Sequence, residues 1–594
     1  MASLKPRCPH CRFDHSTTSS HYSTKMLRLF SLLPLLAIPV IGAPTVERTT
    51  GPSVTIANGT VIGSTAAGID SFKGIPFAQP PVGNLRLRAP QSIKKSFGTI
   101  NAVGVPTSCP QFNSQTNTSS LPQDVAALLV DSPLVQTVTG AGEDCLTLNI
   151  QRPSTATSSS KLPVLFWIYG GGFESGSTQI YDGSILVEKS ISLGKPIIYV
   201  AVNYRLGGFG FLAGKDLAKE GNTNLGLRDQ RLGMQWVAEN IAAFGGDPNK
   251  VTIWGESAGS ISVFDHLVIN GGDNTYKGKP LFRGAIMDSG TAIPTDQVTA
   301  PQAQAIYQTV VNNAGCGGAS NKLTCLRSTD YETYLNAVNS VPGIFSYRSL
   351  DLSYLPRPDS GNRFFSASPE TVATTGKFAK VPMIIGDQED EGTLFSLVLS
   401  NVTTNQQVID YLASYFPNNP TAETDVTGLV ANYPDEPLLG QPSGSPFRTG
   451  SLNNIFPQYK RLAAILGDVT FTLTRRVALT FLSKKVKVWS YLNTYLYGTS
   501  ILGTLHGSDI LVSYGYTTNL VPPAAAVQQY YIAFVNNLDP NSLGTPAPLI
   551  PWPQWTSSNP QLVNFEATQL SYLTDDFRSG AFNYISSKPS AFRV

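Results

Sequence analysis

Apolar residues in this chain fall into short unbroken runs separated by stretches of helical period. Residues 162–169 (LPVLFWIY) form one such run, which ends at three consecutive glycines. Residues 196–203 (PIIYVAVN) and 251–254 (VTIW) are two more. Runs at 285–287, 381–385 and 486–492 continue the pattern. Between them Leu232, Trp236, Ile241 and Phe244 recur at near-helical spacing, which predicts a helix stopping at Gly245-Gly246. Strands apolar on both faces, alternating with helices, predict an α/β protein with a large, mostly parallel sheet covered on both sides. No internal repeat or low-complexity linker divides the chain.

The N-terminus carries an address rather than an element. Residues 26–43 (MLRLFSLLPLLAIPVIGA) place Arg28 before an apolar stretch that closes on the small residues Gly42 and Ala43. That is the pattern of a secretory signal peptide. The stretch is short for the roughly 30 Å of a bilayer core and is interrupted by Pro34 and Pro39. Residues 1–25 precede a methionine that would itself serve as a start, so they read as an extension or a mis-called start. Their Cys8, His10, Cys11 and His15 lack the second ligand pair of a zinc site. Residues 44–594 then form a single domain. Secretion makes the protein extracellular. It leaves four cysteines, Cys109, Cys145, Cys316 and Cys325, an even number that suggests two disulfides. Spacing favours Cys109–Cys145 and Cys316–Cys325 without excluding the other two pairings. Asn58, Asn117 and Asn401 stand in Asn-X-Ser/Thr sequons as glycosylation candidates.

Composition narrows the partners. Charged residues are only 14% of the chain's 594 residues, and the net charge is +2 with 42 basic and 40 acidic side chains interspersed. No basic face or stripe argues for nucleic acid.

The chemistry begins at residues 255–259, Gly-Glu-Ser-Ala-Gly, directly after the run at 251–254. The G-x-S-x-G pattern between a strand and a helical stretch (260–267, SISVFDHL) sets Ser257 on a sharp turn at a helix N-terminus. That is the nucleophile position of the α/β-hydrolase fold. A serine needs a base, usually histidine. Of five histidines, His10, His15 and His21 precede the signal sequence. His266 is on the serine's own helix, and at about 1.5 Å rise per residue it is more than about 10 Å away. His506, between Gly503 and Gly507, remains. Gly170-Gly171-Gly172-Phe173 closes an early buried run and offers backbone N–H groups for an oxyanion hole, joined by that of Ala258. The third member, an acid, falls between serine and histidine in this fold. Residues 386–393 (GDQEDEGT) follow the run at 381–385 and offer several carboxylates, among which the residues alone do not choose.

Together with residues 72–78 (FKGIPFA), 143–149 (EDCLTLN) and 505–509 (LHGSD), these segments resemble the type-B carboxylesterase/lipase family. That cholinesterase-like superfamily includes fungal lipases of the Geotrichum candidum and Candida rugosa kind. The resemblance runs from about residue 54 to the C-terminus. It implies Glu391 as the acid, Gly171, Gly172 and Ala258 as oxyanion donors, Ser289 as a supporting serine near the acid, and the disulfides Cys109–Cys145 and Cys316–Cys325. It implies no metal or organic cofactor.

The loop between Cys109 and Cys145 bears an apolar stripe, Val125, Ala126, Leu128 and Leu129, continued by Leu134, Val135 and Val138. It resembles the lid of the fungal lipases, whose apolar face meets either the pocket or a lipid interface. An ordinary surface helix gives the same periodicity. Phe112 is the loop's only aromatic residue, so it holds no aromatic cage for a quaternary ammonium. The expected reaction is hydrolysis of apolar esters through an acyl-enzyme, as in a lipase or carboxylesterase. Alternatives on the same framework are a sterol esterase, a short-chain carboxylesterase and, remotely, a neuroligin-like binding protein. The last would have a damaged triad.

Overall fold

The apolar runs become the middle of an eleven-stranded sheet. A computed structural model describes residues 51–112, 138–436, 450–516, 521–544, 546 and 548–594. In chain order the strands are β1 (Ser64–Ala66), β2 (Ile69–Pro76), β3 (Thr147–Pro153), β4 (Leu162–Ile168), β5 (Ile198–Val202) and β6 (Gly246–Glu256). They continue as β7 (Gly284–Asp288), β8 (Met383–Gln388), β9 (Val488–Asn493), β10 (Gln561–Phe565) and β11 (Leu570–Thr574). Across the sheet the order is β11-β10-β9-β8-β7-β6-β4-β5-β3-β2-β1. From β10 through β5 every neighbour is parallel, as in the pairing of Ile286 with Trp254 and Ile384. The flanks turn antiparallel, β3 against β5 and β2 at one edge and β11 against β10 at the other.

The burial pattern explains the sequence pattern. Strands β5, β7, β8 and β9 are buried at every position. A strand covered on both faces has no reason to alternate. The edge strand β11 is partly exposed along its length, and its residues are mixed. The predicted helix is longer than its apolar period suggested. Helix α1 runs Leu225–Asn240, and a 3₁₀ turn, Ile241–Phe244, carries the last two apolar positions. Gly245 ends it at φ 91°, a left-handed conformation open to glycine.

Helix α2 (Ala258–Val268) packs against β6 and β7. Helices α3 (Tyr459–Gly467) and α4 (Leu473–Leu482) are joined by one π-helical stretch, Asp468–Thr472. Such an expanded turn re-aims the side chains it carries. Behind the sheet Trp254 stacks on Tyr514 at 5.2 Å and lies 4.2 Å from Trp167, ring centre to ring centre. Burying an aromatic side chain of this size stabilises a fold by about 1.5–3 kcal/mol.

Cysteines 109 and 145 are bonded, as are 316 and 325. Asn401 is exposed, whereas half-buried Asn58 donates from its side-chain amide to the Ile93 carbonyl. The signal segment, Asn117 and most of the lid-like stripe lie outside the described residues.

Candidate active site

In a parallel sheet, ligands are met at the carboxyl ends of the strands. The loops leaving β4, β6, β7, β8 and β9 there carry Gly170–Gly172, Ser257, Ser289, Glu391 and His506 respectively. Five segments scattered over more than half the chain are thereby brought to one edge.

Ser257 sits between β6 and α2 with φ 56° and ψ −125°. A residue with a Cβ in that region carries strain of about 1–3 kcal/mol, which the surroundings must hold. Its flanking glycines are a steric necessity. A Cβ on Gly255 would lie 2.4 Å from the Gly259 backbone, and one on Gly259 would lie 2.0 Å from the Ile168 carbonyl oxygen. The G-x-S-x-G spacing is therefore how closely β4, β6 and α2 approach, written in sequence. The Ser257 N–H donates to the Asp288 carbonyl at 2.9 Å, tying the turn to β7.

His506 is fully buried, with Nε2 2.7 Å from Ser257 Oγ and Nδ1 2.5 Å from Glu391 Oε2. The other Glu391 oxygen accepts the Gln388 N–H at 2.7 Å. The strand β8 runs on through Gln388, so the acidic segment is part strand and part loop, and its carboxylates divide their labour. Asp387 takes the Arg475 guanidinium at 2.6 Å, and Asp390 takes the Thr504 N–H at 2.7 Å. Asp390 thus staples the Glu391 loop to the His506 loop. A Cβ at Gly503 would meet that carboxylate at 2.1 Å. Glu391 alone of this loop reaches the imidazole. Phe395 and Phe471 flank the ring, with centroids 5.1 and 4.4 Å away. The π-helical turn before α4 is what delivers Phe471. His266 lies apart, with Nε2 2.9 Å from Gln230 Oε1, and burial pushes its pKa well below the ordinary range.

Ser289 also takes a left-handed φ, 56°. Its hydroxyl accepts from Gln388 Nε2 at 3.5 Å, so it stands one residue removed from Glu391's own hydrogen bonds. Gly172 and Ala258 line the cleft beside Ser257. Gly171, at φ 101°, accepts the Glu174 and Ser175 N–H groups at 3.0 Å and so holds the turn that presents Gly172.

Sequence reasoning missed several carboxyls around this line. Glu256 Oε1 is 3.4 Å from His506 Nε2, and burial, with Asp509, Glu391 and Asp288 nearby, pushes its pKa well above the ordinary range. Burial does the same to Asp509. Asp288 is pushed up to about 6 by burial, although Trp254, Tyr491 and Tyr531 all donate to it. An acid within a β-rich run, or next to the serine, was the available signal.

Ser257 opens into a cleft whose walls include Phe173, Ile261, Leu352, Phe416 and Phe592. The walls are overwhelmingly apolar. One acid, Asp265, is among them.

Residues 50–579 match the model of the carboxylesterase family. The chain belongs to that family. Two similar fungal proteins are a secreted lipase 1 of Botryotinia fuckeliana, 54% identical, and a secreted triacylglycerol lipase LIP1 of Gibberella zeae, 50% identical. The matches cover 96% and 92% of this chain and 99% and 92% of those proteins. Lipase 5 of Diutina rugosa is 46% identical over 91% of this chain and 97% of its own. Among solved structures, that of Aspergillus niger EstA superposes with a TM-score of 0.74 at 27% identity, covering 91% of this carboxylesterase and 99% of EstA.

Proposed function

We propose that this carboxylesterase is a secreted lipase, hydrolysing carboxylic esters of apolar acyl chains through an acyl-enzyme. Ser257 Oγ attacks the ester carbonyl while His506 Nε2 takes its proton. Glu391 fixes the imidazole with Nδ1 protonated and stabilises the imidazolium as it forms. Backbone N–H groups of Gly171, Gly172 and Ala258 receive the oxyanion, each worth on the order of 3 kcal/mol. His506 then protonates the leaving alcohol. Water, deprotonated by the same imidazole, releases the acid. Ser289 and Gln388 hold Glu391.

The observation that carries this reading is the unbroken hydrogen-bonded line from Ser257 through His506 to Glu391, opening into an apolar cleft. The similar secreted lipases favour an extracellular, lipid-facing role. On this reading residues 26–43 are removed as a signal peptide, and one domain follows. Asn58, Asn117 and Asn401 are the glycan acceptors, and the loop closed by Cys109–Cys145 meets the lipid surface.

The test compares p-nitrophenyl butyrate and emulsified long-chain esters with wild type and Ser257→Ala. Turnover on both should fall on the order of 10⁶-fold in the variant. Activity surviving in Ser257→Ala overturns the mechanism. Serine-dependent activity restricted to the butyrate overturns the lipase assignment.

A further inference from the structure

The cleft wall runs down α2, the helix that Ser257 begins. Ile261 lies one turn on and Asp265 two turns, and both line the cleft. Asp265 is 1% exposed, and neither carboxyl oxygen has a hydrogen-bond partner. Burial is the only cause acting on its pKa and pushes it well above the ordinary range. Burial thus favours the protonated carboxylic acid, which has one O–H to donate and a carbonyl oxygen to accept. Its neighbour in sequence, His266, is engaged with Gln230 instead. Native interiors satisfy nearly all such groups, and those left over ask for a reason. Two other carboxyls of the site, Glu256 and Asp509, have no hydrogen-bond partner on either oxygen, and both lie in the field of Asp288 and Glu391. Asp265 has no such charged company, and the cleft wall it lines is mostly apolar.

We propose that Asp265 is a specificity residue, hydrogen-bonding an oxygen substituent, above all a hydroxyl, carried part-way along the substrate's acyl chain. The proposal rests on reading Ser257 as the nucleophile and the cleft as the acyl site. A plain hydrocarbon chain leaves the buried acid unpaired, whereas a hydroxylated chain pairs it. Sites built around a buried polar group discriminate by that asymmetry. The position can be bounded. Eight residues of helix at about 1.5 Å each put Asp265 roughly 12 Å along the axis from Ser257. An extended chain advances about 1.2 Å per bond, so the substituent falls roughly ten bonds from the ester carbonyl.

The experiment uses the full chain with p-nitrophenyl octadecanoates, unsubstituted or bearing one hydroxyl at successive positions, and p-nitrophenyl butyrate as reference. Wild type, Asp265→Leu and Asp265→Asn are compared. In wild type the kcat/KM ratio of hydroxylated to plain ester should peak at one mid-chain position, by roughly tenfold for one buried hydrogen bond. Asp265→Leu should flatten the peak, and Asp265→Asn, which keeps a donor and an acceptor, should retain part of it. A flat scan in wild type, or an equal peak in Asp265→Leu, overturns the proposal. If the leucine variant does not fold, the wild-type scan and the asparagine variant decide. Butyrate hydrolysis beside a flat scan sinks Asp265 alone. No serine-dependent hydrolysis at all sinks the enzyme reading with it.

Discussion

Asp387, near the end of β8, and Glu391, on the loop that follows, stand four residues apart, both buried, and they belong to different worlds. Asp387 is answered by Arg475, which also grips both oxygens of Asp575 and the Ser490 hydroxyl, and Arg476 adds a further bond to Asp575. The two guanidiniums hold Asp575 below the ordinary range against its burial. Each carboxyl there meets at least one guanidinium, although burial still pushes Asp387 up to about 7. Glu391 is answered by an imidazole, whose charge can come and go, and Glu256, Asp509 and Asp265 lack a hydrogen-bond partner on both carboxyl oxygens, where Asp387 lacks one on Oδ1 alone. A cluster closed by cations holds the sheet together. A cluster left open toward a titratable base or an empty wall is poised to act on something else.

Two substitutions should separate these roles in opposite directions. Glu391→Gln keeps the acceptor for the Gln388 N–H and removes the charge that fixes the His506 tautomer. Turnover should drop on the order of 10⁴-fold with little change in the unfolding midpoint. A drop under tenfold would mean that Glu256 or another carboxyl replaces it. Arg475→Met should do the reverse, stranding Asp387 and Asp575 in the interior. Denaturant unfolding should show a loss of about 3–5 kcal/mol. Activity per folded molecule should fall far less than in Glu391→Gln. Equal loss of activity in both variants would erase the distinction.

Much of this was legible in the residues. The glycines around Ser257 mark contacts too close for any Cβ, so a local pattern reports a tertiary fact. The fully apolar runs report burial on both faces. Elimination found His506 because the chain has so few histidines. The acidic segment was legible only as a whole. The choice of Glu391 over Asp387 and Asp390 depends on Arg475 and Thr504, which stand far off in sequence, and resemblance rather than residue chemistry supplied it. Phe471 was illegible, since it reaches the imidazole through a π-helical turn that no local pattern marks. Asp265 read only as a member of the helical stretch after Ser257, a helix that the structure buries at every position. What it faces is decided by the segments at 293–295, 344–355 and 592–594, which no local pattern connects.

The smallest expected effect sharpens the comparison most. If Asp265 is retained for a ligand, it is a liability to the fold alone. Asp265→Leu removes an unpaired buried polar group and should stabilise the empty protein by about 1–3 kcal/mol. The sign depends on pH in a definite way. The folded carboxyl titrates well above 3.8 and the unfolded one near it, so above pH 3.8 the unfolded chain releases a proton that the folded chain keeps. Wild-type stability should therefore lose this contribution as pH rises through that value, and the advantage of Asp265→Leu should grow between pH 3 and pH 7. Urea unfolding of both proteins at the two pH values measures it. A leucine variant less stable than wild type at neutral pH would mean that Asp265 is satisfied within the fold. It would then belong with Asp387, among the carboxylates that hold the structure together.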